Sequence, residues 1–319
     1  MDKTKGNFLE TFHNINFKEI LKHPNILIAA NFWEEDRFLA AKTCYRMMRF
    51  IDDMIDDYKS SHMMVGSDKK EEFFKNVQNW ISGIKNPSNG IPDYQEISDV
   101  ISRFGLPLWP FEAFADSMLF DVFNNEFDTL LSFLNYSHGA SVAPASVFVH
   151  LCGITRDHEH YRVPVFDVKK AATPCAMFSY LVHIIRDFQK DQLGHLNYFA
   201  GEKMHQYGLF NNDLQDIARG GQISTGFRKM MNDYYLMADQ YRAETHEVIR
   251  EIAPSVEPRY QLSLEIIFEL YLMVFERIDI VHGNFTQTEL EPTPEEIQDR
   301  VLKTILRFKP RVTNTVLFK

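Results

Sequence analysis

The sequence predicts an all-α helical bundle, and three observations carry that prediction. The 319 residues include only 14 Gly, against 27 Phe and 13 Tyr. Apolar residues recur at three- and four-residue intervals over long stretches, which is the helical period. Breakers are sparse, and turn-forming clusters such as Pro87-Ser88-Asn89-Gly90 stand far apart. A chain of this length can bury a sizeable core. A single domain over 1–319 is expected, with its core over about 23–283 and a basic amphipathic tail at 301–319.

The elements follow in order. Residues 8–22 read as a short amphipathic helix ended by His23-Pro24, because a residue before proline avoids the α region. A second helix starts near Glu34-Glu35-Asp36, acids that suit a helix N-terminus. Its inner side is expected to carry Phe38, Leu39, Ala41, Cys44, Tyr45, Met48, Ile51 and Ile55. A loop over 59–70 and a helix over 71–84 come next, then helices over 94–104, 110–124 and 127–136. The stretch from Tyr136 to Ser146 is dense in small residues, which permits close helix approach or leaves room for a ligand. An apolar run then ends at Gly153, a C′ candidate.

Residues 154–166 read as a loop whose Asp157-His158-Glu159-His160 lacks helical ligand spacing, so solvated surface is expected over a zinc site. Thr173-Pro174 reads as an N-cap followed by proline at N1, opening a long apolar helix that ends before Gly194. Further helices are expected over 211–218, 222–252 and 258–282, with an acidic link at 286–296.

The formal charge of −10 argues against a nucleic-acid partner. Cys44, Cys152 and Cys175 lie inside apolar helical patterns and read as buried, reduced thiols. The first twenty residues show no signal-peptide apolar region, and no run reaches the ~20 apolar residues of a membrane span. The expectation is a soluble, cytoplasmic protein. The basic tail suits either contact with an anionic membrane surface or packing on the body.

Function is concentrated in one stretch, Tyr45-Arg46-Met47-Met48-Arg49-Phe50-Ile51-Asp52-Asp53-Met54-Ile55-Asp56-Asp57. Asp52 and Asp56 share a helix face, and like charges four residues apart weaken a helix. Alone, the cluster reads first as a solvated helix end. The chain repeats the spacing, however, in Arg186-Asp187-Phe188-Gln189-Lys190-Asp191, again late on an apolar helix. Two acidic walls flanking one cavity mouth could hold Mg²⁺, which favours one or two carboxylates plus phosphate oxygens. Arg49 and Arg186 could then grip a diphosphate.

These motifs, with Tyr136…Gly139-Ala140, Gly194…Tyr198 and Tyr207-Gly208-Leu209, resemble the squalene/phytoene synthase family over most of the chain. The resemblance implies an all-α isoprenoid-synthase bundle around a central apolar cavity, and Mg²⁺ as cofactor. It implies head-to-head condensation of two prenyl diphosphates, farnesyl or geranylgeranyl, through a cyclopropyl diphosphate. By resemblance Asp52, Asp56, Asp187 and Asp191 are metal ligands, with Asp53 auxiliary. Arg49 and Arg186 contact diphosphate, Tyr45 and Tyr136 lie beside the reacting carbons, and Tyr271 matches a cavity tyrosine. NADPH reduces the intermediate in members with squalene activity; no nucleotide-binding glycine loop is present in the sequence.

The chain departs from the family pattern at Tyr180 and His183, where the family has Gln and Asn beside the substrate, at His195 for Arg, and at Thr288-Glu289-Leu290. These changes put the product in doubt. Two other readings compete: a class I terpene cyclase, since Asp52–Asp56 spells DDxxD, and a non-catalytic assembly factor on the same fold.

Overall fold

The computed structural model describes residues 3–17, 25–62, 65–87 and 92–311. The helices run α1 (Lys3–Asn14), α2 (Asn25–Ala30), α3 (Glu35–Ser61), α4 (Ser67–Lys85), α5 (Pro92–Phe104), α6 (Trp109–Phe123) and α7 (Leu130–Ser137). A π-helical turn, His138–Val142, leads directly into α8 (Ala143–Gly153). A two-stranded antiparallel hairpin, β1 (Thr155–Asp157) and β2 (His160–Arg162), precedes α9 (Val168–Arg186) and α10 (Phe188–Leu193). Then come α11 (Gly201–Gln206), α12 (Asn211–Ala218), α13 (Thr225–Ile252), α14 (Pro258–Phe275), α15 (Gln287–Leu290) and α16 (Pro294–Arg307).

Two apolar clusters build the core. One gathers Met48, Ile51 and Ile55 of α3 with Val77 and Trp80 of α4, Phe111 and Phe114 of α6, and Val147 and Leu151 of α8. The other gathers Phe133 of α7, Phe178 and Leu181 of α9, and Met230 and Tyr234 of α13. Each fully buried large apolar side chain contributes about 1.5–3 kcal/mol. Helix α3 packs on α6 and α8, while α9 packs on α8, α13 and α14. The acids of α3 therefore belong to one cluster and those of α9 to the other, and the site forms where the clusters meet.

Buried polar groups tie the frame together. Arg37 of α3 donates to the carbonyls of Leu151 and Ile154, both at 3.1 Å, and its guanidinium lies 4.3 Å from the centre of the Tyr260 ring. The Trp80 indole donates to Met47 O at 2.9 Å, fixing α4 on α3.

Several expectations need correction. Helix α3 buries Ala41, Cys44, Met48, Ile51 and Ile55 as expected and adds Ala40 and Met47, but it leaves Leu39 half exposed at the edge of the stripe. It also runs on to Ser61, and the following helix begins at Ser67, so the expected 59–70 loop is much shorter. The first helix ends at Asn14; residues 18–22 of the expected 8–22 helix with the His23-Pro24 stop, and 88–90 of the turn cluster, lie outside the described residues.

Helix α9 starts at Val168, not at Thr173. Asp167 is the N-cap, accepting from Lys170 N at 3.0 Å, and Pro174 is interior. Asp is a stronger cap than Thr, and the earlier start buries Ala171 and Ala172. Gly153 is not a left-handed C′ residue either. It closes α8 before Ile154, and a Cβ there would meet the Phe166 ring at 2.6 Å, so close packing is its role. The 154–166 segment contains the hairpin, with His158 and His160 exposed and Asp157 paired to Arg162 at 2.7 Å.

The expected 286–296 link carries α15 and the start of α16, whose Thr293–Glu296 capping box sets its first turn. Such a cap contributes about 1 kcal/mol. Over 301–308 the tail turns its apolar face inward: Val301, Ile305 and Phe308 are buried, and Arg300 and Arg307 pair with Glu269 of α14. Over these residues the apolar face packs on the body; residues 312–319 of the expected 301–319 tail lie outside the described residues. Among the described residues no helix is long and apolar enough to cross a membrane.

Candidate active site

The first acidic wall stands on α3, with Asp52 and Asp56 about two and three turns past Tyr45. Arg49 pairs with Asp52 at 2.5 Å and with Asp53, bracing the wall from its own helix. Asp53 is half exposed, whereas Asp52 is 23 % exposed and turned toward the interior. Burial pushes the Asp52 carboxyl up to about 6, against the opposing pull of Arg49. Burial and repulsion from Asp52 push Asp56 up to about 7.

The second wall stands at the α9–α10 junction. Asp187 caps both helices with φ −89° and ψ 3°, yet the helical bond Asp191 N to Asp187 O survives at 2.8 Å. The four-residue spacing thus bridges a bend. Asp187 is held by three donors: Arg186 Nε at 2.6 Å, Arg186 Nη2 at 3.0 Å and His183 Nε2 at 3.1 Å. Burial raises its pKa, but His183 and Arg186 outweigh burial and hold it at about 2. Arg186 also donates to His183 Nδ1 at 2.9 Å. That bond needs a lone pair on Nδ1, so this imidazole is neutral with its proton on Nε2 facing Asp187. Burial and the neighbouring cations pull His183 down in the same direction. Asp191 has no such relief. Burial and repulsion from Asp187 push it up to about 8, and Asp56 of the opposite wall adds to the push.

The two walls therefore face each other. Asp56 acts on Asp191, Arg49 acts on His183, and Tyr45 is influenced by Tyr271. Helices α3 and α9 do so across a gap spanned by α6, α8 and the π turn. Tyr45, Tyr180 and Tyr271 are each only partly buried and line this gap. The Tyr180 ring stacks on Phe133, centroids 5.9 Å apart, and stands 6.4 Å from the Tyr136 ring.

Among the described residues Asp56 and Asp191 form no ion pair and Asp52 shares Arg49 with Asp53, so the walls hold more carboxylate than counter-charge, the condition a divalent cation would relieve. Among the described residues no three carboxylate, imidazole or thiolate groups close around a single ion. Each ion would take one or two protein oxygens and complete its shell with phosphate and water, the preference of Mg²⁺. The donor set fits that metal. Asp187 and Asp53, already neutralised by arginine, are less available to it.

Sequence reasoning passed over two members of the site. Asp121 of α6 is 7 % exposed, accepts from Tyr136 Oη at 2.5 Å and pairs with Lys59 of α3 at 3.5 Å. Tyr198, between α10 and α11, is influenced by Asp56, Asp121 and Asp191. The signal for Asp121 was an acid inside the apolar run Phe120–Phe123, since an acid so placed requires a buried partner.

A surface groove of about 340 Å³, lined by Tyr207, Thr225, Arg228, Lys229, Asp233 and Ile280 among others, shares no residue with the walls. Arg228 is engaged by the carbonyls of Ile280 and Gly283, and Asp233 by Lys203 and Tyr207. Asp56 and Asp191, which form no ion pair among the described residues, stand at the walls and not at this groove.

Comparison with known proteins agrees. Residues 25–295 match the family model described as squalene/phytoene synthase. The chain is 20 % identical over 266 residues to phytoene synthase 2, chloroplastic, of Solanum lycopersicum, spanning 82 % of this chain and 79 % of that protein. A crystal structure of a dehydrosqualene synthase in complex with ligand aligns with a TM-score of 0.62 at 14 % identity, covering 94 % of this chain and 100 % of that one. Squalene synthase HpnC from Alicyclobacillus acidocaldarius aligns at 0.60 and 13 % identity, over 86 % and 96 %. At these identities the structural likeness establishes the all-α isoprenoid-synthase fold.

Proposed function

The chain belongs to the squalene/phytoene synthase family, and from that premise we propose that it condenses two prenyl diphosphates, farnesyl or geranylgeranyl, head to head with Mg²⁺ and releases diphosphate. The observation that carries this reading is the pair of walls, in which Asp56 and Asp191 form no ion pair among the described residues while Arg49 braces Asp52 and Arg186 braces Asp187. Bound there, Mg²⁺ would stabilise the charge that develops on the departing diphosphate.

The chain's own residues do the remainder. Arg49 and Arg186 leave their carboxylate partners in part to grip diphosphate oxygens, a planar bidentate match. Tyr45, Tyr136, Tyr180 and Tyr271 offer ring faces to the allylic cation, each worth about 0.5–2 kcal/mol when desolvated. The apolar clusters on both sides keep water from that cation.

One observation favours a second reading. Tyr180 occupies space between the walls where the family pattern has a smaller amide, which suits a reaction of a single prenyl diphosphate, such as cyclisation. A non-catalytic role is the weakest reading, because the chain keeps all four expected aspartates, Asp52, Asp56, Asp187 and Asp191. The test is incubation of purified protein and Mg²⁺ with farnesyl or geranylgeranyl diphosphate, with and without NADPH, followed by mass spectrometry. Diphosphate release with a condensed C30 or C40 product is expected. A cyclised C15 or C20 product transfers the assignment to the second reading, and no diphosphate release from either substrate refutes both.

A further inference from the structure

Condensation through a cyclopropyl intermediate sheds a proton from carbon, and an acceptor must stand within reach of the cation. By the family resemblance Tyr136 lies beside that position; it is buried at the end of α7, and burial next to Asp121 holds its phenol well above the ordinary value. A phenol so held is a poor base by itself. Its proton, however, already points at Asp121 Oδ2 across 2.5 Å.

We propose that Asp121 is the terminal proton acceptor of the condensation, reached through Tyr136 and set in place by Lys59. The proposal rests on the head-to-head reading above. In the step, a C–H bond of the substrate cation breaks and its electron pair closes the new carbon–carbon bond. The proton passes to Tyr136 Oη as the phenol's own proton crosses to Asp121. The cation is neutralised, Tyr136 is unchanged, and the Asp121 carboxylate becomes the acid. No other reagent is consumed.

The surroundings of Asp121 suit this role. Lys59 contacts the carboxylate at 3.5 Å and donates to the carbonyls of Asp121 and Asn124, each at 3.1 Å, so α3 holds the acceptor at the end of α6. Ser117, one turn earlier on α6, donates to Tyr136 O at 2.9 Å and fixes the backbone of the relaying residue. The other titratable neighbours are Asp52 and Asp56 of α3, Tyr180 of α9, and Tyr198. Burial raises the Asp121 carboxyl to about 6 despite Lys59 and Tyr136. It is thus ionised at neutral pH yet basic enough to take a proton, the range in which a general base works best.

An exit is also present. Beyond Asp121 lies a cavity of about 10 Å³, near the size of one water, bordered by Lys59, Asn124, Glu126, Asn197 and Tyr198. Asn124 and Glu126 are exposed, so a water there links the carboxyl to solvent. A structural clamp between α3 and α6 needs neither the short Tyr136 bond nor this opening.

The test uses the full chain with Mg²⁺ and its prenyl diphosphate, and reads condensed product per diphosphate released. With Asp121→Asn this ratio is expected to fall about tenfold or more, with prenyl alcohol from water capture replacing product. Tyr136→Phe leaves the Lys59–Asp121 pair intact and should show the same partition, keeping the test decisive where the Asn variant does not fold. The double variant should be no worse than either single one, as for residues in one relay. An unchanged ratio in either folded variant, or diphosphate release by the wild-type chain without any condensed product, overturns the proposal. Absence of diphosphate release from the wild-type chain instead overturns the functional reading beneath it.

Discussion

Gly139→Ala is the sharpest test of how the site is held. Gly139 lies buried in the π turn directly after Tyr136, pressed against α6. A Cβ there would stand 2.1 Å from Ser117 Oγ and 2.2 Å from Ala113 O. Ordinary contact of a methyl carbon with oxygen is near 3.4 Å, so the π turn and α6 must part by roughly 1 Å. The Ser117 hydroxyl can rotate away, but the Ala113 carbonyl belongs to a helix and cannot. Overpacking of this kind costs about 1–3 kcal/mol, and loss of the Ser117–Tyr136 bond adds about 1 kcal/mol.

The expected destabilisation is therefore about 2–4 kcal/mol, which lowers a urea midpoint by roughly 1 M for an m-value near 3 kcal/mol/M. Catalysis should fall further than stability alone explains, because parting the elements lengthens the 2.5 Å bond between Tyr136 and Asp121. Urea titration followed by far-UV circular dichroism measures the first effect, with Gly201→Ala as control. There the nearest non-local atom to a new Cβ is Phe127 O at 3.5 Å, ordinary contact. Equal midpoints for the two variants would refute the packing argument.

Two further outcomes follow from the acidic walls. Asp56 and Asp191 carry pKa values of about 7 and about 8, above the unfolded value of 3.8, so their contribution to stability is full below pH ~4 and is lost as pH rises toward 8. Mg²⁺ takes the place of those protons and should raise the thermal midpoint more at pH 8 than at pH 5; a larger shift at pH 5 contradicts the assignment. Asp187 has the opposite sign. Its pKa of about 2 lies below the unfolded 3.8, so it contributes about 2 kcal/mol above pH ~4 that is lost as pH falls through 2. Asp187→Ala should cost about that much at pH 7, with the gap to wild type narrowing from pH 5 to pH 3 in chemical denaturation; a gap that does not change with pH removes the ion-pair explanation.

Much of the site was legible because its spacing is local. Asp52 and Asp56, or Asp187 and Asp191, sit four residues apart, and Arg49 and Arg186 lie within a turn of them. A helix converts such spacing into shared faces without help from the rest of the chain. Thr173-Pro174 misled because its signature is as local as that of Asp167, and the choice between two caps was made by burying Ala171 and Ala172. Leu39 misled for a similar reason: it lies at the edge of the apolar stripe, and the inward side there is held by Arg37 bonded to Leu151 and Ile154.

The sequence by itself determined the helical class, the two acidic motifs with their arginines, and the kind of cargo such a pair of walls would hold. Helical period and i,i+4 proximity are short-range geometry, fully contained in the order of residues. Only the tertiary structure decided which of those acids remain uncompensated. Asp187 is claimed by His183 and Arg186, while Asp191 is left to repel Asp56 across the gap. It alone brought Lys59, Asp121 and Tyr136 together from three helices, because the energy of a buried charge depends on what lies beside it in space rather than in sequence.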